Sequence, residues 1–212
     1  MFFSAVADHG AVSLPDFSGV RIMMMPFDMS VLSSIPYPVY RPLLDRMLDV
    51  CGVRNGIGYL TIDEAVVDGG QTHRRPGLHV DGVGPSGEAG GWGGPPPGGW
   101  GAGGMLVCAS VLGSRAWHQE FEGAPRSNGD CEHLRPQLQD SAVVELSAGR
   151  LWGLQPNTVH ESLVHTSTTR RTFVRLSLPS DAPWYENYTP NPWGIKPTGP
   201  IHPPRAEMNY RP

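Results

Sequence analysis

Leu78-His79-Val80-Asp81-Gly82 and Asn157-Thr158-Val159-His160-Glu161 are the two stretches from which this chain is read. On a β-strand, residues two apart point to the same face. His79 and Asp81 therefore project together, with Val80 turned the other way. An imidazole and a carboxylate from one strand make two ligands of a metal site, and His160, arriving from another strand, makes a third. Two His and one carboxylate on one face of an ion leave its remaining positions open to small molecules. A lone His-x-Asp is a weak signal in a chain with eight His. A surface turn in which Asp81 caps Gly82 would also produce it, so the flanking sequence decides.

The 212 residues suit one domain with a sizeable core. A net charge of −4 with 17% charged residues argues against nucleic acid or an anionic membrane as the main partner. Twenty-seven Gly and 22 Pro favour a β-rich, loop-rich fold. Cys51, Cys108 and Cys131 are odd in number and widely spaced, so they fit neither a disulfide framework nor a zinc pattern, and read as reduced thiols. Met1-Phe2-Phe3-Ser4 lacks the basic start of a signal peptide, and no run reaches the length of a membrane span. The expectation is a soluble, cytoplasmic protein; the oligomeric state is not legible.

Residues 22–27 are apolar and Met-rich, suiting a buried strand or a core plug. Tyr40, Leu43, Leu44, Met47, Leu48 and Cys51 recur at helical spacing, with Pro42 in the first turn and Gly52 at the stop. They predict an amphipathic helix of about three turns covering a sheet. Strands are predicted over 57–67, 72–83, 105–112, 115–121, 143–146, 151–154, 158–165 and 171–178. His79 falls on the second of these eight and His160 on the seventh.

Between Asp81 and Met105 lies an insert, residues 82–104, in which 12 of 23 residues are Gly. It carries Trp92 and Trp100 and cannot bury enough apolar surface to fold by itself. It is either a linker or a mobile lid whose indoles close over a substrate. Residues 179–212 are Pro-rich with scattered aromatics and predict an extended arm anchored along the body.

Eight antiparallel strands, with His-x-Asp on the second, His on the seventh and Arg on the eighth, resemble the Fe(II)/2-oxoglutarate-dependent dioxygenases, the double-stranded β-helix oxygenases. The resemblance spans roughly residues 57–178. It implies a mainly β jelly-roll or cupin-like barrel with a few flanking helices. It implies iron held by His79, Asp81 and His160, with 2-oxoglutarate and molecular oxygen oxidising a small-molecule substrate. Arg171 and Arg175 lie eleven and fifteen residues after His160. The resemblance gives Arg171 the far carboxylate of the cosubstrate and Arg175 an anionic group of the substrate, with Trp92 and Trp100 as substrate contacts. Guanidinium suits either task because it binds carboxylates through two parallel hydrogen bonds. The same pattern is compatible with a cupin-type metalloenzyme that does not use 2-oxoglutarate, or with a catalytically silent β-barrel that only binds a ligand.

Overall fold

The computed structural model describes residues 1–30, 37–81, 104–179, 184–197 and 200–204. In chain order the elements are β1 (Phe2–Ser4), β2 (Val6–Ala11), β3 (Arg21–Asp28), α1 (Arg41–Cys51), β4 (Ile57–Val67), β5 (Met105–Ala109), β6 (Ser114–Trp117) and β7 (Gln119–Phe121). They continue with β8 (Val143–Glu145), β9 (Arg150–Leu154), β10 (His160–Ser162), β11 (Thr169–Ser177), β12 (Trp184–Tyr185) and β13 (Ile201–His202). The fold is mainly β and jelly-roll-like. A six-stranded sheet in the order β2-β9-β5-β11-β4-β3 packs against a three-stranded sheet in the order β10-β6-β8. Every pairing within these two sheets is antiparallel.

Strand alternation separates the two faces of the large sheet. Leu60, Ile62, Leu106, Cys108, Val174 and Leu176 face α1 and pack on its Leu43, Leu44, Met47 and Leu48. Met105, Val107, Trp152, Leu154 and Phe173 face the small sheet and pack on Ala116, Val144 and Leu146. The helix is the predicted one. Pro42 sits in its first turn, and Gly52 ends it at φ 66°, a conformation that costs glycine little.

β4 carries two buried carboxylates, Asp63 and Glu64. Glu64 accepts the Ser18 and Val20 amides and the Tyr40 hydroxyl. Asp63 lies 2.8 Å from Arg74 and 3.2 Å from His73. Burial opposes ionisation of Asp63, but His73 and Arg74 hold its carboxyl down to about 2.

Beyond Ser177 the described residues include two short strands and buried aromatics. β12 pairs with β13, and Tyr185 and Tyr188 are buried against Tyr59 and Met24. No helix among the described residues is long and apolar enough to cross a membrane.

The thiols make a simple prediction. Cys108 and Cys131 are 2% and 0% exposed, and burial pushes both thiols up to about 12. The reactive thiolate is therefore scarce at pH 8. A thiol reagent should modify these two only on unfolding, with half-buried Cys51 reacting first. Rapid modification of Cys131 in the native protein would contradict its packing against Leu78 and Val80.

Candidate metal centre

The segment carrying His79 is not the continuous strand expected over 72–83. Pro76 has no amide hydrogen, and Gly77 adopts φ 77°, which breaks the extended run. Among the described residues of that segment, Thr72, opposite Val164, and His79 make the β-bridges. His79 is instead wedged between two neighbours. On one side it exchanges both backbone hydrogen bonds with His160, each 2.9 Å. On the other, Val80 N–H donates to Gly129 O and Cys131 N–H to Leu78 O. A Cβ on Gly129 would lie 2.5 Å from Val80 O, so only glycine permits this approach. The segment thus extends the small sheet beyond β10 by a single residue.

The side-chain alternation survives without the strand. Leu78 and Val80 sink into an apolar cluster with Trp117, Phe121, Cys131, Leu134 and Val159. His79 and Asp81 emerge on the opposite side, next to His160. One ligand atom from each of the three lies within 4.8 Å of the others. The two imidazole rings stand 4.3 Å apart between centroids.

Both rings are oriented alike. His79 Nδ1 is 2.8 Å from Gly77 O, and His160 Nδ1 is 2.8 Å from Thr158 O. A carbonyl only accepts, so each Nδ1 carries the hydrogen and each Nε2 keeps its lone pair. This is how metal-binding histidines are held elsewhere. Burial, and then the neighbouring His160, pushes the His79 imidazole down to about 3, so it stays neutral. Burial alone would raise the Asp81 carboxyl, but the Arg175 guanidinium beside it holds it well below the usual carboxylate range. Two imidazoles with free Nε2 atoms and one ionised carboxylate form a donor set that suits Fe(II) and leaves positions open.

Arg175 reaches this centre. Its Nη1 donates to Asp81 Oδ2 at 2.8 Å. With Arg74, Arg75, Ser114, Ser162 and the apolar residues Met105, Val107, Leu146, Leu154 and Phe173, it lines a cavity of about 60 Å³ beside His79, Asp81 and His160. Arg171 shares the inward face of β11 but is not among the described residues lining that cavity. It is 1% exposed; its Nε donates to Val111 O, and its Nη1 donates to His73 Nδ1 at 2.8 Å. A Cβ on Gly113 would fall 2.7 Å from the Arg171 Nε, so this glycine makes room for the guanidinium. Trp92 and Trp100, with residues 82–103 as a whole, lie outside the described residues.

Sequence reasoning missed the scaffold behind the ligands. Glu132 Oε1 accepts the Leu78 amide at 2.6 Å. Arg135 binds Glu132 and also reaches Glu161 Oε2 at 2.8 Å, and Arg115 holds the other Glu161 oxygen. Arg135 thereby ties the residue before His79 to the residue after His160. The available signal was the i,i+3 pair Glu132 and Arg135 in a stretch otherwise read as irregular. His165 belongs to no metal-ligand group among the described residues. His73 is buried between Arg171 and Asp63.

No family model and no curated protein sequence matches this chain. Among solved structures it is similar to AviO1 from Streptomyces viridochromogenes Tue57, with TM-score 0.44, 14% identity, and 90% of this chain and 94% of that one covered. It is also similar to the non-haem α-ketoglutarate-dependent carbocyclase SnoK from nogalamycin biosynthesis, with TM-score 0.40, 16% identity and coverages of 90% and 77%. A third is the non-haem monooxygenase ThoJ in its nickel complex, with TM-score 0.34, 12% identity and coverages of 65% and 49%. Likenesses at this distance say nothing about chemistry.

Proposed function

We propose that this chain is a non-haem Fe(II) oxygenase that uses 2-oxoglutarate and molecular oxygen to oxidise a small molecule. The observation that carries the proposal is the convergence of the His79 and His160 Nε2 lone pairs and the Asp81 carboxylate within 4.8 Å, beside a cavity lined by a guanidinium.

Iron(II), when bound, supplies the open positions at which a chelating oxo-acid and oxygen meet. The chain's own residues do the rest. Gly77 O and Thr158 O keep the two imidazoles aimed. The cavity wall presents Arg74, Arg75 and Arg175 against one carboxylate, Asp81. Arg74 is already matched by Asp63. Three guanidinium groups along one wall favour an anionic ligand. Met105, Val107, Leu146, Leu154 and Phe173 form a dry wall that limits water and strengthens charge interactions inside. In this reading Arg175, the cavity guanidinium that contacts Asp81, meets a carboxylate of the cosubstrate. Arg171, to which the resemblance gives the far carboxylate, lies behind the wall and takes that role only by leaving Val111 O and His73. Trp92 and Trp100 remain proposed substrate contacts.

The test is metal content and cosubstrate turnover. Anaerobically reconstituted protein should hold about one Fe(II) per chain and should release CO2 from 2-oxoglutarate on exposure to oxygen. Metal uptake without 2-oxoglutarate turnover would favour the cupin-type metalloenzyme. Absence of metal uptake would leave a ligand-binding barrel.

A further inference from the structure

β3 contains an irregularity that points at Arg175. Its register against β4 runs Ile22↔Ile62 and then Met25↔Leu60. Three steps along β3 therefore match two along β4, so one extra residue bulges out. Ile22, Met25 and Phe27 all pack toward α1. Met24 belongs to a different apolar cluster, with Tyr59, Tyr185 and Tyr188. It has φ 46°, the one positive φ of a non-glycine residue among the described residues. Side chains rarely adopt that conformation, and it persists only where the surroundings impose it. Here the C-terminal arm imposes it. Met23 N–H donates to Thr189 Oγ1, and Thr189 N–H donates to Met23 O, each at 2.8 Å.

The bulge delivers a sulfur to a specific place. Arg175 Nη2 donates to Met24 Sδ at 2.8 Å, while Nη1 of the same guanidinium holds Asp81. Thr61 locks the thioether from the side. Its hydroxyl donates to Met24 Sδ and accepts the Met24 amide, both at 3.2 Å. Thr61 is also the direct register partner of Arg175 across β4 and β11. Met24, Thr61 and Arg175 thus form one row over three strands, ending at the metal centre.

A thioether is a weak, uncharged acceptor. It can orient a guanidinium without adding a second negative charge beside that of Asp81. We propose that Met24 is a positioning residue: it holds the Nη2 side of the Arg175 guanidinium, whose Nη1 is paired to Asp81, at the metal centre, and so sets the affinity of the site for a ligand carboxylate. This deepens the proposed function and rests on Arg175 as the guanidinium that meets the ligand.

Met24→Leu removes the sulfur at similar volume, a kind of swap that cores tolerate. Met24→Gln restores a neutral acceptor. In metal-free protein, nitrogen-15 NMR should show resolved Arg175 Nη signals, identified by their loss in Arg175→Lys. They should collapse in Met24→Leu and return in Met24→Gln. In Co(II)-loaded protein, 2-oxoglutarate affinity should fall about tenfold in Met24→Leu, the loss of roughly one hydrogen bond, and recover with Gln. Metal stoichiometry should not change. Thr61→Val, which frees the sulfur at nearly constant shape, should reproduce the Leu variant if the latter folds poorly. Unaltered Arg175 signals in Met24→Leu, or a loss of affinity that Gln does not rescue, would overturn the proposal. Wild-type protein that takes up Co(II) but no 2-oxoglutarate would instead remove the cosubstrate reading. Oxalate then serves as the carboxylate probe, and the same comparison of variants decides the role of Met24.

Discussion

His160→Ala is expected to lower Fe(II) affinity by more than about 100-fold. Changing groups that merely orient a metal ligand costs 10- to 100-fold, and in the proposed centre His160 is itself a ligand. It brings its Nε2 to within 3.8 Å of Asp81 Oδ2. His79→Ala should do the same, because the two imidazoles are equivalent in hydrogen bonding and differ mainly in depth. Asp81→Asn should also lose the metal. It removes the one carboxylate among the described residues of the centre while keeping its shape, and it takes from Arg175 an ion-pair partner at 2.8 Å. Equilibrium dialysis with Mn(II) or Fe(II) reads all three. Full stoichiometry in both His variants would place the metal elsewhere. The His variants should remain folded, since the backbone bonds between His79 and His160 do not depend on either ring.

Arg175→Lys should weaken 2-oxoglutarate binding by about ten- to a hundredfold while metal binding persists. A charge-assisted bond is worth roughly 1.5–3 kcal/mol, and a lysine ammonium cannot reproduce the two-pronged geometry. Arg171→Lys should act differently. Its guanidinium is buried, and burial pushes it down to about 10, still charged at neutral pH. It gives its hydrogens to Val111 O and His73, so the substitution should cost stability of about 1–3 kcal/mol and change cosubstrate affinity little. Denaturant unfolding and an anaerobic 2-oxoglutarate titration separate the two effects. If Arg171→Lys gives the larger loss of cosubstrate affinity, Arg171 moves to the cavity on binding and holds the far carboxylate, as the resemblance implies.

Much of the frame was legible in the residues. Tyr40 to Gly52 wrote out a helix and its stop, and β4 and β11 matched long runs of β-branched and apolar residues. Those signals are local: capping and alternation act within a few residues, so they can be read along the chain. The parity of His79 and Asp81 was also local, and it held although the strand did not. What broke the strand was equally written in Pro76-Gly77, but its pairing came from Asp130 and His160, which no local pattern announces.

The positions of the arginines depended on distant contacts. Arg171 and Arg175 lie on the same face of one strand, and their sequence context does not distinguish them. Gly113, Val111 and His73 shut one in, while Asp81 and Met24 draw the other to the centre. The Met-rich run predicted a buried element, and β3 is one, but a bulge cannot be read from a run that is apolar at every position. By itself the sequence determined which residues can ligate a metal and which faces are apolar, because those follow from side-chain chemistry and strand period. Only the tertiary structure decided which charges meet the metal centre. A guanidinium goes to whichever partners the packing of other strands brings within about 3 Å, and those partners here come from β3, from the loop at Asp81 and from residues 60 to 100 positions away.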